Sequence, residues 1–405
     1  MTMNFALIEP TTRSILERSL SGEEISVAEG THLLSASGSE LHAIQQVAHH
    51  HRQAAHGLTT SFVVTRNINF TNVCHMGCRF CGFAKAKDSP EAELLSMGVI
   101  AQRAREAWQR GASEVCIQGG LHPNIKPDHY RNILLAIKAV VPDIHIHAFS
   151  PFEIFYGSRM NKMSYTDFLQ DLKDCGLGSI PGTAAEILDT DIRKILTKDK
   201  LSADAWVEII KAAHGVGLRS TATMMYGHVD APHHWANHIA LLRDIQKETG
   251  GFTEFVPLGF VHHDSPLYVN AKQFTDRPVR PGPTRDENIA VHAVARIMLK
   301  GQIDNIQVSW TKLGPEFARE AQSFGVNDLG GTLMNETISR ASGAKFGQEI
   351  TETEMQNIIR QAGFDPVKRN TLYGQVCERS IEVLPPLVKR SAWQADQMIA
   401  YELVE

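Results

Sequence analysis

The pattern of apolar and polar positions alternates between two periods along most of the chain. Short β-branched or apolar runs, typical of strands, are followed by longer segments with the periodicity of amphipathic helices. The eight predicted strands span residues 61–70, 114–118, 144–149, 177–180, 219–225, 254–260, 305–310 and 325–329. The predicted helices include 96–109, 127–140, 184–196, 203–214, 234–247 and 285–299. Because parallel strands need crossover helices, this order predicts an α/β protein with a (β/α)8 barrel of the TIM type.

The two ends of the chain differ from this strand and helix pattern. Residues 1–57 indicate short helices, with possible starts near Pro10 and Gly22. A further helix is predicted over 351–361, and an irregular tail follows it. The sequence therefore predicts an N-terminal helical segment (1–57), a barrel (58–341) and a C-terminal helical extension (342–405).

Composition narrows the classes of protein that the chain can represent. With 43% apolar and 21% charged residues, the 405-residue sequence is typical of a globular protein. The formal charge of −5 is spread over interspersed acidic and basic residues, which argues against nucleic-acid and anionic-membrane partners. No signal-like start or long apolar stretch is present, and six cysteines do not form a disulfide framework. We expect a cytoplasmic protein.

The most informative motif is a group of three cysteines in the loop after the first predicted strand, at Cys74, Cys78 and Cys81. Three thiolates at this spacing can hold three irons of a [4Fe-4S] cluster and leave the fourth iron without a protein ligand. A structural zinc site needs four ligands, and no second Cys/His pair follows at a suitable spacing. A ferredoxin-type electron carrier needs a fourth cysteine. The other cysteines stand alone in the sequence, at Cys116, Cys175 and Cys377.

Strand ends supply further candidate groups, because the carboxyl ends of barrel strands carry the chemistry in this fold. The second predicted strand ends at Gln118 and continues into Gly119 and Gly120. Paired glycines let a ligand approach the backbone closely. Glu186 follows the fourth predicted strand, where its carboxylate either favours a helix N-terminus or contacts a ligand.

Polar residues share one face of several predicted strands, as Thr65, Asn67 and Asn69 do on the first. Helices cover the outside of a barrel, so the apolar face should point outward and the lumen should be polar. This predicts a cavity for a polar ligand near the C-terminal mouth, unless the polar groups satisfy one another in the core. The candidate substrate-binding or catalytic residues are Asn67, Asn69, His147, Tyr226, His228, Gln307, Ser309, Asn327 and Asp328.

The cysteine spacing, with the aromatic Phe80 just before the last cysteine, resembles that of the radical S-adenosylmethionine (SAM) enzymes. The resemblance implies a radical SAM barrel with one [4Fe-4S] cluster, whose open iron chelates SAM. It further implies that the reduced cluster splits SAM into methionine and a 5′-deoxyadenosyl radical. By the same resemblance, a glycine-rich turn meets the methionine amino group and an acidic residue contacts SAM. The predicted SAM-binding residues are Phe80, Gln118, Gly119, Gly120, Ser150, Thr183 and Glu186.

Longer strings at the strand ends resemble one radical SAM family, the second subunit of the deazaflavin (FO) synthase of coenzyme F-420 biosynthesis. The strings are HAFSPFEI, PGTAAEIL, TATMMYGH, GGFTEFVPLGFVH, NIQVSW and NDLGGTLMNETISRASGA. The resemblance, which runs from about Thr60 to Gly374, implies a transferase. Such an enzyme breaks the Cα–Cβ bond of L-tyrosine and joins the 4-hydroxybenzyl group to 5-amino-6-(D-ribitylamino)uracil, leaving 2-iminoacetate.

The resemblance also implies a functional partner, FO synthase subunit 1, and an external electron donor. Two other hypotheses stay open. The first is a sister radical SAM enzyme of the futalosine route to menaquinone, which shares the fold and several motifs. The second is an iron-sulfur electron-transfer or scaffold protein without radical turnover. Formation of 5′-deoxyadenosine would distinguish both enzymes from the second hypothesis. The identity of the substrate would distinguish the two enzymes from each other.

Overall fold

The structure is a computed structural model that describes residues 5, 8–197, 200–376, 387–388 and 402–403. The α-helices within these ranges are α1 (Pro10–Leu20), α2 (Val27–Leu34), α3 (Gly38–His56), α4 (Met97–Gln109), α5 (His129–Val140), α6 (Pro151–Asn161), α7 (Tyr165–Asp174), α8 (Thr190–Leu196), α9 (Ala203–Gly215), α10 (Pro232–Thr249), α11 (Pro266–Val269), α12 (Arg285–Met298), α13 (Trp310–Leu313), α14 (Pro315–Ala321), α15 (Ile338–Ala341) and α16 (Glu352–Gln361). The strands are β1 (Thr59–Val63), β2 (Thr65–Asn69), β3 (Glu114–Gln118), β4 (His145–Ala148), β5 (Ser179–Ile180), β6 (Arg219–Tyr226), β7 (Phe252–Gly259), β8 (Asp328–Gly331), β9 (Asp365–Lys368), β10 (Leu387–Val388) and β11 (Glu402–Leu403).

Parallel strands form the wall of a barrel. Six of them make one sheet in the order β2-β3-β4-β5-β6-β7. The circle continues through a bridge between Phe255 and Ile306 and another between Gln307 and Asp328, the first residue of β8. Strand β8 pairs with β1, which leads directly into β2. Each predicted strand region lies in this circle, so the predicted α/β barrel is confirmed.

Two predicted strands differ from the observed ones. The first predicted strand, 61–70, is divided at Val64 into β1 and β2, which belong to different sheets. The seventh predicted strand, 305–310, contributes only the two isolated bridges to its neighbours. A run of apolar and β-branched residues predicts extended backbone, but it does not predict where the hydrogen-bonded ladder breaks.

One predicted helix begins later than expected. Of the predicted 184–196 segment, only α8 is helical, and the side chain of Asp189 accepts hydrogen bonds from the backbone of Asp191 and Ile192 to cap it. Ala184 and Glu186 have φ angles of 63° and 43°, which a right-handed helix does not allow. The residues before Asp189 therefore form a turn at the end of β5.

The N-terminal helices cover one side of the barrel. Helix α2 packs against α10, and α3 packs against α12. Arg52 of α3 is buried and donates to the carbonyl oxygens of Val326 and Thr59, which connects the helix to β1 and to the segment just before β8. The division of the chain at 57 and 341 stays a prediction, although β9, which lies beyond 341, pairs with β1. No helix in the described ranges has the length and apolar character needed to cross a membrane.

Buried charges close the amino end of the barrel. Arg369, just after β9, donates from Nε to Asp328 Oδ2 (2.6 Å) and from Nη2 to Asp328 Oδ1 (2.9 Å) and Glu254 Oε2 (3.2 Å). Tyr373 also donates to Glu254. Burial raises the pKa of Glu254 to about 7, against the opposing effect of Arg369. These four residues, which we name the amino-end network, fill this part of the lumen with the protein's own polar groups.

Candidate active site

The loop between β2 and α4 carries the three cysteines. His75 in this loop donates from Nδ1 to the carbonyl oxygen of Leu121, at 2.6 Å, and so contacts the segment after β3. Arg79 donates to the carbonyl oxygen of Ile195 at the end of α8, at 2.8 Å. Contacts on two sides therefore fix the loop against the mouth of the barrel.

The three cysteine side chains line one cavity of about 250 Å³ at the carboxyl ends of the strands, which we name the main cavity. The thiols of Cys74, Cys78 and Cys81 form no disulfide, and neither do those of Cys116 and Cys175. The other cysteine of the sequence, Cys377, lies outside the described residues.

Burial raises the pKa of Cys78 to about 11 and that of Cys81 in the same direction, although the Lys200 ammonium opposes both shifts. Buried thiolates need a positive partner, and a bound metal supplies one. Among the described residues, no group of three or more His, Cys, Asp or Glu side chains is arranged to hold a single metal ion. In a cluster each thiolate binds a different iron, so the set of three thiols fits a [4Fe-4S] cluster better than a lone ion.

All ten residues that the sequence predicts for the cluster and for SAM line the main cavity. They are Cys74, Cys78, Phe80, Cys81, Gln118, Gly119, Gly120, Ser150, Thr183 and Glu186. They come from the cysteine loop and from the ends of β3, β4 and β5, segments that are far apart in the sequence. The barrel brings them together, and their individual roles in binding stay predictions.

The two glycines after β3 are needed for close packing against the cysteine loop. A Cβ atom on Gly120 would lie 2.3 Å from the carbonyl oxygen of Val73 and 2.9 Å from Cys74 Cβ. A Cβ atom on Gly119 would lie 2.6 Å from the Phe70 ring. The sequence interpretation gave ligand approach as the reason for these glycines, whereas the structure shows that the backbone of Val73 already requires Gly120 and that the Phe70 ring already restricts Gly119.

Glu186 forms a buried ion pair in the wall of the main cavity. Lys200 Nζ lies 2.5 Å from Glu186 Oε1, and the two side chains are only 6% and 9% exposed. Glu186 Oε2 has no hydrogen-bond partner in the described part of the chain, although Arg193 Nη1 lies 3.9 Å away. The alternative role at a helix N-terminus is wrong because α8 begins only at Thr190.

A second buried carboxylate, which the sequence interpretation missed, connects the ends of β3 and β4. Glu153 Oε2 accepts hydrogen bonds from the backbone and hydroxyl groups of Ser150, both at 2.7 Å, and Oε1 accepts from Gly119 N at 3.1 Å. Burial raises the pKa of Glu153 to about 7, and these hydrogen bonds oppose the shift. Glu153 therefore fixes the glycine turn relative to Ser150.

The candidate substrate residues lie elsewhere, and none of the nine is among the described residues that line the main cavity. On β6, Thr223 and Met225 line it, while Tyr226 points away and donates to Asn288 Oδ1 at 2.6 Å. His228 is fully buried and donates from Nε2 to the carbonyl oxygen of Met225, at 3.0 Å.

Three more of these candidates have structural partners near the amino end or deep in the lumen. Asp328 is held by Arg369 in the amino-end network. The amide oxygen of Asn327 accepts from Arg296 of α12, at 2.6 Å. His147 shares a hydrogen bond of 2.7 Å with the hydroxyl of Ser179 on the neighbouring strand.

The last four candidates lie on β2 and around the seventh predicted strand. Asn69 donates to Thr337 Oγ1 at 2.6 Å, and Ser309 shares a hydrogen bond of 3.2 Å with the hydroxyl of Thr311. Asn67 Oδ1 is buried with no hydrogen-bond partner in the described chain. The side chain of Gln307 lies against Gly330.

Two lysines of the main cavity were not predicted, Lys200 and Lys312. Lys200 lies in the short connection between α8 and α9, where nothing in the residue pattern indicates a site. Lys312 follows the string NIQVSW by two residues, so its proximity to a strand end was the only signal.

Comparisons with known proteins agree with this geometry. A model of the Radical SAM superfamily matches residues 68–242, and a model of the CofH/MqnC C-terminal region matches residues 249–380. Among solved structures, the hydrogenase maturase HydG from Carboxydothermus hydrogenoformans covers 89% of this chain and 80% of its own, with a TM-score of 0.67 and 15% identity. Methylornithine synthase (PylB) covers 87% and 97%, with a TM-score of 0.65 and 15% identity. At these identities the likeness shows the fold alone.

Curated relatives are much closer in sequence. An FO synthase from Nocardia farcinica is 50% identical over 353 residues, which are 87% of this chain but 40% of that protein. The chain therefore spans well under half the length of the FO synthases that it matches. A 5-amino-6-(D-ribitylamino)uracil--L-tyrosine 4-hydroxyphenyl transferase from Methanopyrus kandleri is 47% identical over 351 residues, 86% of this chain and 94% of that protein. The chain belongs to the radical SAM superfamily and, within it, to the family of these transferases and the FO synthases.

Proposed function

We propose that the protein is a radical SAM transferase of deazaflavin biosynthesis. It would cleave the Cα–Cβ bond of L-tyrosine and join the 4-hydroxybenzyl group to 5-amino-6-(D-ribitylamino)uracil. The observation that carries the proposal is the convergence of three cysteines and seven predicted SAM-binding residues on one cavity. The similarity to the Methanopyrus kandleri transferase over 94% of its length supports this choice of substrates.

Membership of the radical SAM superfamily implies a [4Fe-4S] cluster and SAM, and we propose a single cluster. Cys74, Cys78 and Cys81 would hold it. When bound, the cluster and SAM would supply the 5′-deoxyadenosyl radical that takes a hydrogen atom from tyrosine. Glu186 Oε2, which has no hydrogen-bond partner among the described residues, is available to accept a hydrogen bond from SAM.

The remaining walls of the main cavity would orient the substrates and keep water away. Phe80, Phe152 and Phe260 line it together with Leu258 and Met225. Apolar walls leave a reactive species few groups to attack, and they strengthen the few polar contacts that orient the substrate. The polar groups on these walls, such as Thr223, can then fix the direction of a bound molecule.

The proposed reaction also needs partners outside the chain. An external reductant would deliver electrons to the cluster, and FO synthase subunit 1 would use the product. A thiolate-bound cluster is stable in a reducing compartment, so we propose that the protein acts in the cytoplasm.

An anaerobic assay tests the proposal. The reconstituted protein is supplied with SAM, a reductant, L-tyrosine and 5-amino-6-(D-ribitylamino)uracil, and the products are analysed by mass spectrometry. We expect 5′-deoxyadenosine, methionine, 2-iminoacetate and the 4-hydroxybenzyl adduct, with ring-labelled tyrosine transferring its label to the adduct. Absence of 5′-deoxyadenosine would favour the iron-sulfur electron-transfer hypothesis instead.

The futalosine-route enzyme stays the second candidate, because the family model that matches residues 249–380 carries two names, CofH and MqnC. The same assay with a futalosine-route substrate distinguishes the two. Turnover of that substrate and none of tyrosine would transfer the assignment to the menaquinone route.

A further inference from the structure

A second cavity of about 300 Å³ adjoins the main cavity, and we name it the side cavity. Its wall includes His262, His263 and Lys345. The two cavities share Lys312 of α13 and the stretch 259–261 at the end of β7. Lys312 is therefore in contact with the space where SAM and its substrates are proposed to bind.

The ammonium group of Lys312 is incompletely satisfied. Its Nζ donates to Ser339 Oγ at 2.9 Å, and no carboxylate of the described residues forms an ion pair with it. Both oxygens of the nearby Glu336 accept instead from the backbone of Ser339, at 2.9 and 3.1 Å. An ammonium has three donors, so two of the three have no partner in the described protein.

Lys200, the other lysine of the main cavity, is already paired with Glu186 at 2.5 Å. Burial lowers the pKa of Lys312, and Glu336 opposes that shift. Lys312 is partly buried at the cavity wall. A partly buried cation without a counter-ion is unfavourable, and a charge-assisted hydrogen bond to a ligand anion offsets part of the cost. Of the lysines that line the main cavity in the described part of the chain, Lys312 is thus the one left available for an anionic group of a ligand.

The segment that leads into Glu336, the carboxylate near Lys312, has an unusual backbone conformation. Leu333, Met334 and Asn335 have φ angles of 69°, 29° and 84°, in the region that residues other than glycine rarely adopt. Glu336 follows directly and is buried, and its backbone N donates to the carbonyl oxygen of Gln348 at 3.0 Å. Strained backbone of this kind persists where the surroundings fix it, and it is concentrated at ligand sites.

We propose that Lys312 binds the carboxylate of the amino-acid substrate. The inference rests on the proposed function, since tyrosine carries a carboxylate and the ribitylaminouracil does not. SAM also carries a carboxylate, in its methionine part. We assign Lys312 to tyrosine because the SAM-binding residues predicted from the sequence lie on the cysteine loop and the ends of β3 to β5, whereas Lys312 follows the seventh predicted strand.

Equilibrium dialysis of the reconstituted holoenzyme with SAM and without reductant measures binding in the absence of turnover. The ligands are L-tyrosine and L-tyrosinamide, which differ in the charge of the carboxyl group. A charged hydrogen bond contributes about 1.5–3 kcal/mol, so the wild type should prefer tyrosine by roughly 10- to 100-fold. Lys312→Met should bind the two ligands nearly equally, while its Kd for SAM stays unchanged.

Two variants serve as controls. Lys312→Arg keeps the cation and should keep most of the preference for tyrosine. Lys345→Met removes a lysine that lines the side cavity only, and should keep the full preference. Iron content is measured for every variant, and the Lys312→Arg result still tests the inference if Lys312→Met fails to fold.

The outcomes separate the inference from the proposed function. If Lys312→Met keeps the preference for tyrosine, or if Lys312→Arg loses it, the inference is overturned while the proposed function is unaffected. A raised Kd for SAM in Lys312→Met with an unchanged tyrosine preference overturns it in favour of the SAM carboxylate. Failure of the wild type to bind tyrosine overturns both the inference and the proposed function.

Discussion

At the scale of single residues, the three loop cysteines are the first to test. Each would supply one of three protein ligands, so Cys78→Ala should lose both the visible absorbance of the cluster and the formation of 5′-deoxyadenosine. Cys116→Ala and Cys175→Ala change free cysteines outside the main cavity and should keep both properties. Iron and sulfide analysis with a turnover assay measures this. A Cys78→Ala protein with normal iron content and full turnover would refute the assignment.

Glu186 is the residue whose predicted contact with SAM can be measured most directly. Its Oε2 is buried without a hydrogen-bond partner among the described residues, beside the ion pair with Lys200. Loss of a hydrogen bond to a charged group costs about 1.5–3 kcal/mol, so Glu186→Gln should raise the Kd for SAM roughly tenfold or more.

The matched control for this prediction is Glu208→Gln on α9, where the side chain is exposed and outside the main cavity. Its Kd for SAM should equal that of the wild type. Equal SAM affinity in Glu186→Gln and the control would mean that Glu186 serves only the ion pair with Lys200.

At the scale of elements, the glycine turn after β3 couples the sheet to the cysteine loop. Gly120→Ala places a Cβ atom 2.3 Å from the carbonyl oxygen of Val73, so the loop must shift. We expect a loss of about 1–3 kcal/mol in the free energy of unfolding, together with a lower iron content. Gly215→Ala, at the end of α9 with open space around it, should instead stabilise the protein by about 0.5–1 kcal/mol. Thermal unfolding of the two variants checks both, and equal stability would contradict the packing argument.

The elements also show how far the sequence predicts the fold. Strands β3 and β6 and most helices agree with their periodicity to within a few residues, because burial on a barrel wall requires it. Helix α8 begins six residues after the predicted start because Ala184 and Glu186 have positive φ angles, which a right-handed helix does not allow. Periodicity contains no information about such backbone angles.

The sequence predicts which residues line the main cavity near the cysteine loop, but it does not predict how the lumen of the barrel is filled. The SAM-binding candidates follow from the resemblance to radical SAM enzymes, which implies such residues on the cysteine loop and at the ends of the next strands. Some substrate candidates, such as Asn67 and His147, were chosen because they face the lumen, and others, such as Tyr226 and Asp328, because they lie at strand ends. Part of the lumen is occupied by Arg369 and Tyr373. These residues come from a segment about forty positions beyond β8, and no local pattern predicts that it inserts there.

At the scale of the whole molecule, Arg369 connects the C-terminal segment to the barrel. Arg369→Met would leave Asp328 and Glu254 buried without their cation. Removing one partner of a buried ion pair costs about 3–5 kcal/mol, so the urea midpoint should fall clearly. Lys368→Met, at the last residue of β9 and next to Arg369, breaks a partly exposed pair with Glu352 and should cost at most about 1 kcal/mol. Similar midpoints for the two variants would show that the amino-end network does not stabilise the barrel.

The number of radical steps that one barrel can perform is also a property of the whole molecule. Under the proposed function, deazaflavin formation needs carbon–carbon transfer and then a second radical event, ring closure with loss of ammonia. The 405 residues contain one three-cysteine motif, and they match only 40% of the FO synthase from Nocardia farcinica. We therefore expect this chain to perform the transfer and not the ring closure.

The expected products follow from that division. With tyrosine, 5-amino-6-(D-ribitylamino)uracil, SAM and a reductant, the chain alone should accumulate the open 4-hydroxybenzyl adduct and develop no deazaflavin fluorescence. Addition of FO synthase subunit 1 to the same reaction should convert the adduct and produce the fluorescence, because the second radical event then has its own cluster. Mass spectrometry and fluorescence of one reaction, sampled before and after the addition, measure both steps. Fluorescent, ring-closed product from this chain alone would show that one cluster serves both radical events.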